Sequence, residues 1–419
     1  MRRLRARRDT KNLRGQVQPI ASGRGVSRSC SLRPGGRSGQ GLASMERIRS
    51  SPRSSTRSAS NGSEFPRQGE TSSLSPRLWD YSGVTSVGIF GAGRAATLHA
   101  ESVRAARGVH LAGVAARSTA STRAAALSGA LDCPVMTARE LARACDVAVI
   151  ATPPAVRAEV LAELASSRRL RAVLVESPAA TTIDGIADLG AAFGGRPVLA
   201  AVNLLHAPAV RRMLDAVAAM DPHHLELRLA VPDPARGPDA GRSFGGGVTV
   251  DPAAGFWPLL ISAMGAAVES VAAPRYQVID GLDHATLVLL ETAGGRRARA
   301  ELSWGAPMAA ASLEAADSRR VARVDLWPVP GLEIDGALVG SPPDSQHALA
   351  ALGFVGQIQR LARVASGETA PWPELAAASS ALTVAVAAAL SAMYNGIAVD
   401  VSDVPRDLSP FEILASTGC

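Results

Sequence analysis

The 419-residue chain contains a single lysine, Lys11, inside its first eighty residues. Everything downstream must therefore move protons without an ε-amino group. Cysteine is scarce too. Cys30, Cys133, Cys145 and Cys419 form no CxxC pair and do not cluster with histidine, which excludes a zinc site and a disulfide framework. A reducing cytoplasm is the expected location. No apolar h-region follows the Arg-rich start, so no signal peptide is read there. The longest apolar stretch, Ala381 to Met393, is short of the roughly 20 residues that span a bilayer. It reads as a buried helix, and no membrane partner is expected.

The length and the 47% hydrophobic content suit two globular domains. The net charge of +7 has to be divided before it is interpreted. Residues 1 to 80 hold sixteen Arg, Lys11 and only five acids, which leaves 27 basic and 32 acidic groups in the remainder. The body is mildly acidic and offers no groove for specific nucleic-acid binding. Residues 1–80 are rich in Arg, Ser, Gly and Pro without helical or strand period, so a disordered tail is expected. It reads as an upstream extension, with the working protein starting at Met45 or near Val84; a transit peptide is the alternative.

From Val84 the pattern changes. Apolar runs at Val84–Phe90, Val109–Ala115, Val147–Ala151, Ala172–Val175 and Pro197–Val202 alternate with Ala-rich helical lengths. That rhythm predicts an α/β Rossmann-type doubly wound parallel sheet over residues 84–203. Segments Leu225–Val231, Tyr276–Asp280, Ala285–Glu291, Arg297–Trp304 and Arg320–Trp327 then follow one another at short spacing. With helices around Ala209–Met220, Trp257–Met264, Ala348–Ala365 and Pro373–Met393, they predict an α+β domain over 204–405 with a mostly antiparallel open sheet. Residues 406–419 read as a C-terminal tail.

Gly91-Ala92-Gly93-Arg94-Ala95-Ala96 follows the first strand and opens a helix. Gly91 permits the tight turn, Gly93 lets backbone approach a pyrophosphate, and Ala96 allows close packing of helix on strand. The phosphates would sit on the helix N-terminus. A glycine turn that serves packing alone is the competing reading. Twenty-four residues beyond Gly93, where an acid would bind the adenine ribose of NAD, the chain has Arg117 and Ser118. A cation and a hydroxyl, with Arg123 nearby, suit a 2′-phosphate, so NADP is preferred over NAD; a solvated arginine is the alternative.

These landmarks resemble the Gfo/Idh/MocA oxidoreductase family. The likeness runs through Val87–Gly93 with His99 downstream, Ile150-Ala151-Thr152-Pro153-Pro154, Glu176-Ser177-Pro178 in place of Glu-Lys-Pro, and Asn203 to Pro208. It covers most of residues 84–400, more loosely in the second half. The resemblance implies hydride transfer between the nicotinamide and a sugar-like, polyol or other small carbonyl substrate lying on the open face of the second sheet. It places Thr152, Pro153 and Glu176 beside the coenzyme. It also implies pairing of subunits through the outer face of that sheet, with Trp304 and Trp327 in an interface or a core.

The departures fall on the proton carriers. The family lysine is Ser177, the histidine of its Asp-x-Gly-x-His segment corresponds to Gly255 in Asp251–Gly255, and Arg157 stands where a histidine commonly follows the Thr-Pro-Pro turn. His206 and Ser177 are the candidate replacements. His206 serves equally as a structural residue ahead of Pro208, and Ser177 as a filler of vacated space. Glu176 reads as fixing its turn, Asp251 as capping a helix, and Gly245-Gly246-Gly247 as a flexible loop bordering the cleft. Tyr276 and His284 lie on strands whose faces alternation leaves open. No metal site is read. Three functions remain open: an oxidoreductase with altered proton-transfer residues, a non-catalytic dinucleotide-binding or regulatory protein of the same fold, and a Rossmann-like domain that uses another ligand such as a nucleotide sugar.

Overall fold

A computed structural model describes residues 84–232, 243–327, 330–340, 348–368 and 374–416. The segment 1–80, expected to be a disordered tail, lies outside the described residues.

The apolar runs pair as a six-stranded parallel sheet ordered β3-β2-β1-β4-β5-β6. Its strands are β1 (Thr85–Phe90), β2 (Val109–Ala115), β3 (Val135–Met136), β4 (Val147–Ile150), β5 (Ala172–Val175) and β6 (Val198–Ala200). Helices α1 (Arg94–Ala105), α2 (Thr122–Leu131), α3 (Ala138–Ala144), α4 (Arg157–Leu164) and α5 (Ile183–Ala192) connect them. β4 and β5 are buried at every position, as strands covered on both faces must be. β3 was not expected: two residues are too few to show a period. Strand order reverses between β1 and β4, and there a crevice opens beyond the strand ends.

The chain then runs through α6 (Pro208–Ala218) into a nine-stranded sheet ordered β14-β13-β12-β11-β7-β10-β9-β8-β15. It contains β7 (His224–Val231), β8 (Val268–Ile279), β9 (Leu282–Thr292), β10 (Arg297–Trp304), β11 (Ala310–Ala316), β12 (Val321–Asp325), β13 (Gly331–Ile334), β14 (Ala337–Val339) and β15 (Val399–Asp400). Only β7 and β10 pair in parallel. β8 starts eight residues before the strand expected at Tyr276. β11 has a helix-former composition, yet it is held between β7 and β12; pairing on both sides overrides alanine's propensity. α6, α7 (Trp257–Met264) and α10 (Glu374–Met393) pack against one face of the sheet, α10 chiefly on β8.

Two segments depart from the expected domain limits. One long helix expected over 348–365 is broken at Gly353, which adopts φ +81°, into α8 (Ala348–Ala351) and α9 (Phe354–Ser366). α9 returns to the Rossmann side, where Ile358, Leu361 and Val364 share a core with Ala96, Ala100 and Val103 of α1. The expected C-terminal tail instead contains α11 (Pro410–Ala415), closed by a Ser409–Glu412 capping box, with Ile413 and Leu414 buried.

Candidate functional site

Gly91 has φ +126°, and a Cβ there would lie 2.7 Å from the Ala151 carbonyl oxygen, so the turn tolerates no side chain. Gly93 is the reverse case: its added Cβ would meet nothing within 4 Å. That open space lies at the N-cap of α1, where no side chain caps the helix and no acid occupies the first turn. The first-turn N–H groups thus remain available to an anion. Arg94 is exposed beside them, while Ala96 is fully buried under the helix. Arg117 and Ser118 are exposed just beyond β2, the next strand along the crevice.

The turns after β4 and β5 form the other half. Thr152 and Pro153 follow β4, and the Thr152 hydroxyl is buried without a hydrogen bond among the described residues. Glu176 follows β5 and bonds through its carboxylate to Nε2 of His99, a fully buried residue of α1. Burial alone would raise the Glu176 carboxyl. His99, Arg157 and the Ser177 backbone outweigh it and hold the carboxyl below the usual range. Phe354 of α9 covers His99 edge-on, with ring centroids 5.5 Å apart. Ser177 donates its hydroxyl to Ala201 O at 2.5 Å.

Arg157, noted in the sequence only as a departure, opens α4 with 1% of its surface exposed. Nε and Nη2 donate to Thr152 O at 2.9 and 2.8 Å, and Nη1 donates to Ala179 O at 3.1 Å and also to Glu176 O and Pro178 O. Burial lowers its guanidinium to about 10, partly offset by Glu176. Neither this clamp nor the His99–Glu176 pair was assigned from sequence; the available signal was an arginine three residues after a Thr-Pro-Pro turn.

His206 ends the 3-10 turn Asn203–His206 after β6. Its Cβ lies 3.3 Å from where a Cβ of Gly356 would stand, so it packs under α9. Burial, then Arg360, Arg211 and Arg363, push its imidazole down to about 4. It does not line the depression that Ser177 shares with Ile186, Thr249, Val250, Ala254 and Leu382. That depression lies on the helix-covered side of the second sheet, between the turn after β5, the segment 249–254 and α10.

The loop reading changes, and the face of Tyr276 is fixed. Gly245–Gly247 is a buried, tightly held turn: Gly247 and Thr249 donate their N–H groups to Asp283 at 2.8 and 2.7 Å, and a Cβ at Gly247 would lie 2.2 Å from Asp283 O. Tyr276 pairs with buried Thr286 on the covered face, and its phenol is pushed up by burial and by Asp283. His284 lies edge-on to Trp304 at 5.2 Å, while Trp327 is 41% exposed. The open face carries ions instead: Glu226, with 5% of its side chain exposed, accepts from Arg228 at 2.8 and 3.1 Å and from Arg299 at 2.5 Å.

Residues 85–204 match the Gfo/Idh/MocA oxidoreductase family, described as having an NAD-binding Rossmann fold. The resemblance read from the motifs is therefore shown for the Rossmann half. In fold the chain is similar to GenD2 from gentamicin A biosynthesis, solved in complex with NAD (21% identity, TM-score 0.65, covering 78% of this chain and 99% of that one). It is similar also to a putative myo-inositol dehydrogenase from Sinorhizobium meliloti 1021 (19%, TM-score 0.65, 76% and 100%). UDP-N-acetylglucosamine 3-dehydrogenase GnnA from Acidithiobacillus ferrooxidans is a third (20%, TM-score 0.60, 73% and 97%). At these identities the likeness shows the fold. No curated protein matches the sequence.

Proposed function

We propose that the chain is an NAD(P)-dependent oxidoreductase that moves hydride between the coenzyme and a sugar-like or other small hydroxyl- or carbonyl-bearing substrate. The observation that carries this reading is the glycine turn at the β1/β4 reversal, with open space at Gly93 in front of an uncapped helix. Gly91, Gly93, Arg94 and Ala96 shape the pyrophosphate cradle, and Arg117 with Ser118 favours NADP over NAD. Thr152, Pro153 and Glu176 border the nicotinamide end, where the bound coenzyme supplies or accepts the hydride.

The accompanying proton is the harder part. Ser177 keeps its oxygen lone pairs for a substrate hydroxyl while donating to Ala201 O, so it orients rather than deprotonates. His206 is held uncharged at neutral pH by burial and by three arginines, which leaves it unable to supply a proton and weakens it as an acceptor. The fold neighbours include sugar and inositol dehydrogenases, which supports a polyhydroxylated substrate. Subunits would pair through the outer face of the second sheet.

The absence of lysine beyond Lys11 and the glycine at 255 favour a second reading, a dinucleotide-binding protein without catalysis. Titration of the protein with NADPH and NADH, read by nicotinamide fluorescence, tests the common premise. Turnover on a panel of ketosugars, aldehydes and imines separates the two. Binding with turnover supports the enzyme, binding without turnover supports the second reading, and no binding rejects both.

A further inference from the structure

We propose that Arg157 is the positioning residue of the nicotinamide half of the crevice, one buried guanidinium that fixes the turns after β4 and β5 relative to each other. The inference rests on the coenzyme reading above. Every group that accepts a hydrogen bond from Arg157 is a main-chain carbonyl in one of those two turns: Thr152 after β4, and Glu176, Pro178 and Ala179 after β5. The bonded residues include Thr152 and Glu176, both at the proposed nicotinamide end, and flank Ser177.

A guanidinium is a costly way to fill a core. Arg157 makes no ion pair within 4 Å among the described residues; all its hydrogen bonds go to carbonyl oxygens, and the Glu176 carboxylate adds a longer-range attraction. An apolar side chain of similar volume would pack without that desolvation cost. What it could not supply is a planar fork whose donors reach two segments 24 residues apart in sequence. β4 and β5 are themselves joined by their ladder up to Ile150 and Val175. Beyond the ladder, Arg157 is the side chain that bonds both turns among the described residues.

In a doubly wound sheet of this order the dinucleotide lies across the reversal, one mononucleotide on each half. The adenosine half meets β1 and β2, to which Arg157 donates no hydrogen bond among the described residues. The nicotinamide half meets the turns it clamps. Loss of the clamp should therefore act on one end of the coenzyme.

The test compares wild type, Arg157→Met and Arg157→Lys by calorimetric titration with ADP-ribose and NADH, and with 2′-phospho-ADP-ribose and NADPH. The first member of each pair lacks only the nicotinamide. Both variants should keep their affinity for the truncated ligand within about three-fold while losing about ten-fold or more for the complete coenzyme. Lysine, a point charge with one nitrogen, cannot span the turns. Parallel loss of both ligands, loss of neither, or full recovery by lysine overturns the proposal. Hydrogen exchange without ligand is the second measurement: peptides covering 152–156 and 176–180 should exchange faster together, with those of β1 and β2 unchanged. Unchanged exchange at 152–156 and 176–180 overturns the clamp whatever binds. Wild type that binds no dinucleotide rejects the coenzyme reading instead, a result distinct from any seen only in the variants.

Discussion

The imidazole of His206 makes a quantitative prediction about acid stability. In the folded chain it is pushed from an ordinary 6.5 down to about 4, first by burial and then by Arg360, Arg211 and Arg363. The unfolded chain takes up that proton first. His206 therefore contributes its stability above the unfolded value, and the contribution is lost as pH falls from 6.5 toward 4. With those two values the linkage relation gives a loss of about 2 kcal/mol between pH 7 and pH 4.5. His206→Gln removes the titration and leaves every other acid-sensitive group common to both proteins. Urea midpoints at pH 7 and pH 4.5 should therefore converge: the variant loses about 2 kcal/mol less than wild type on acidification. Equal losses would mean that the imidazole is not desolvated under α9, and the argument from burial would fall.

Two substitutions divide the glycine turn. Gly91→Ala forces a side chain into φ +126° and against the Ala151 carbonyl, and should cost at least about 2 kcal/mol in a melting or denaturant measurement. Gly93→Val adds a Cβ that meets nothing within 4 Å, so it should cost only the loss of a tolerated N-cap residue, about 1 kcal/mol, yet lose dinucleotide binding. Undiminished affinity in the folded Gly93 variant would remove the pyrophosphate assignment. Arg117→Ala should weaken NADPH more than NADH, by about ten-fold in the ratio of dissociation constants; equal losses would leave NADP without its advantage.

The Rossmann half was legible because each of its signals is local. Buried strands such as Val147–Ile150 and Ala172–Val175 are continuous apolar runs, and the glycine turn is contiguous in sequence. The second half depends on partners distant in the chain. Ala310–Ala316 is a strand only because β7 and β12 flank it, and Phe354–Ser366 belongs to the Rossmann core only because α1 offers it a surface. The same reason hid the site's inner contacts. His99 and Glu176 are 77 residues apart and Arg157 acts through carbonyls, which carry no residue signature. Gly245–Gly247 looked mobile by composition, whereas three small residues are what let the backbone close on Asp283.

The residues left at the motif positions also constrain the pH profile of any reaction. Ser177 has its hydroxyl engaged by Ala201 O, and Glu176 is held ionised by His99 and Arg157. Their environments favour the states they already occupy at neutral pH, so neither is poised to exchange a proton there. If His206 accepts the proton during alcohol oxidation, kcat/KM should fall on acidification around pH 4, where its imidazole titrates, and not around 6.5. In the reductive direction His206 is almost wholly unprotonated at pH 7, about one molecule in a thousand carrying the proton, so a carbonyl would gain little from it. A substrate that arrives already protonated, as an iminium does, needs no such donor and should be reduced faster than its carbonyl counterpart. Rates measured from pH 4 to 9 on matched ketone and imine substrates decide this. An acidic limb at 6.5, abolished by His206→Gln, would show the imidazole to be solvated and ordinary, and would reverse the expected order of the two substrates.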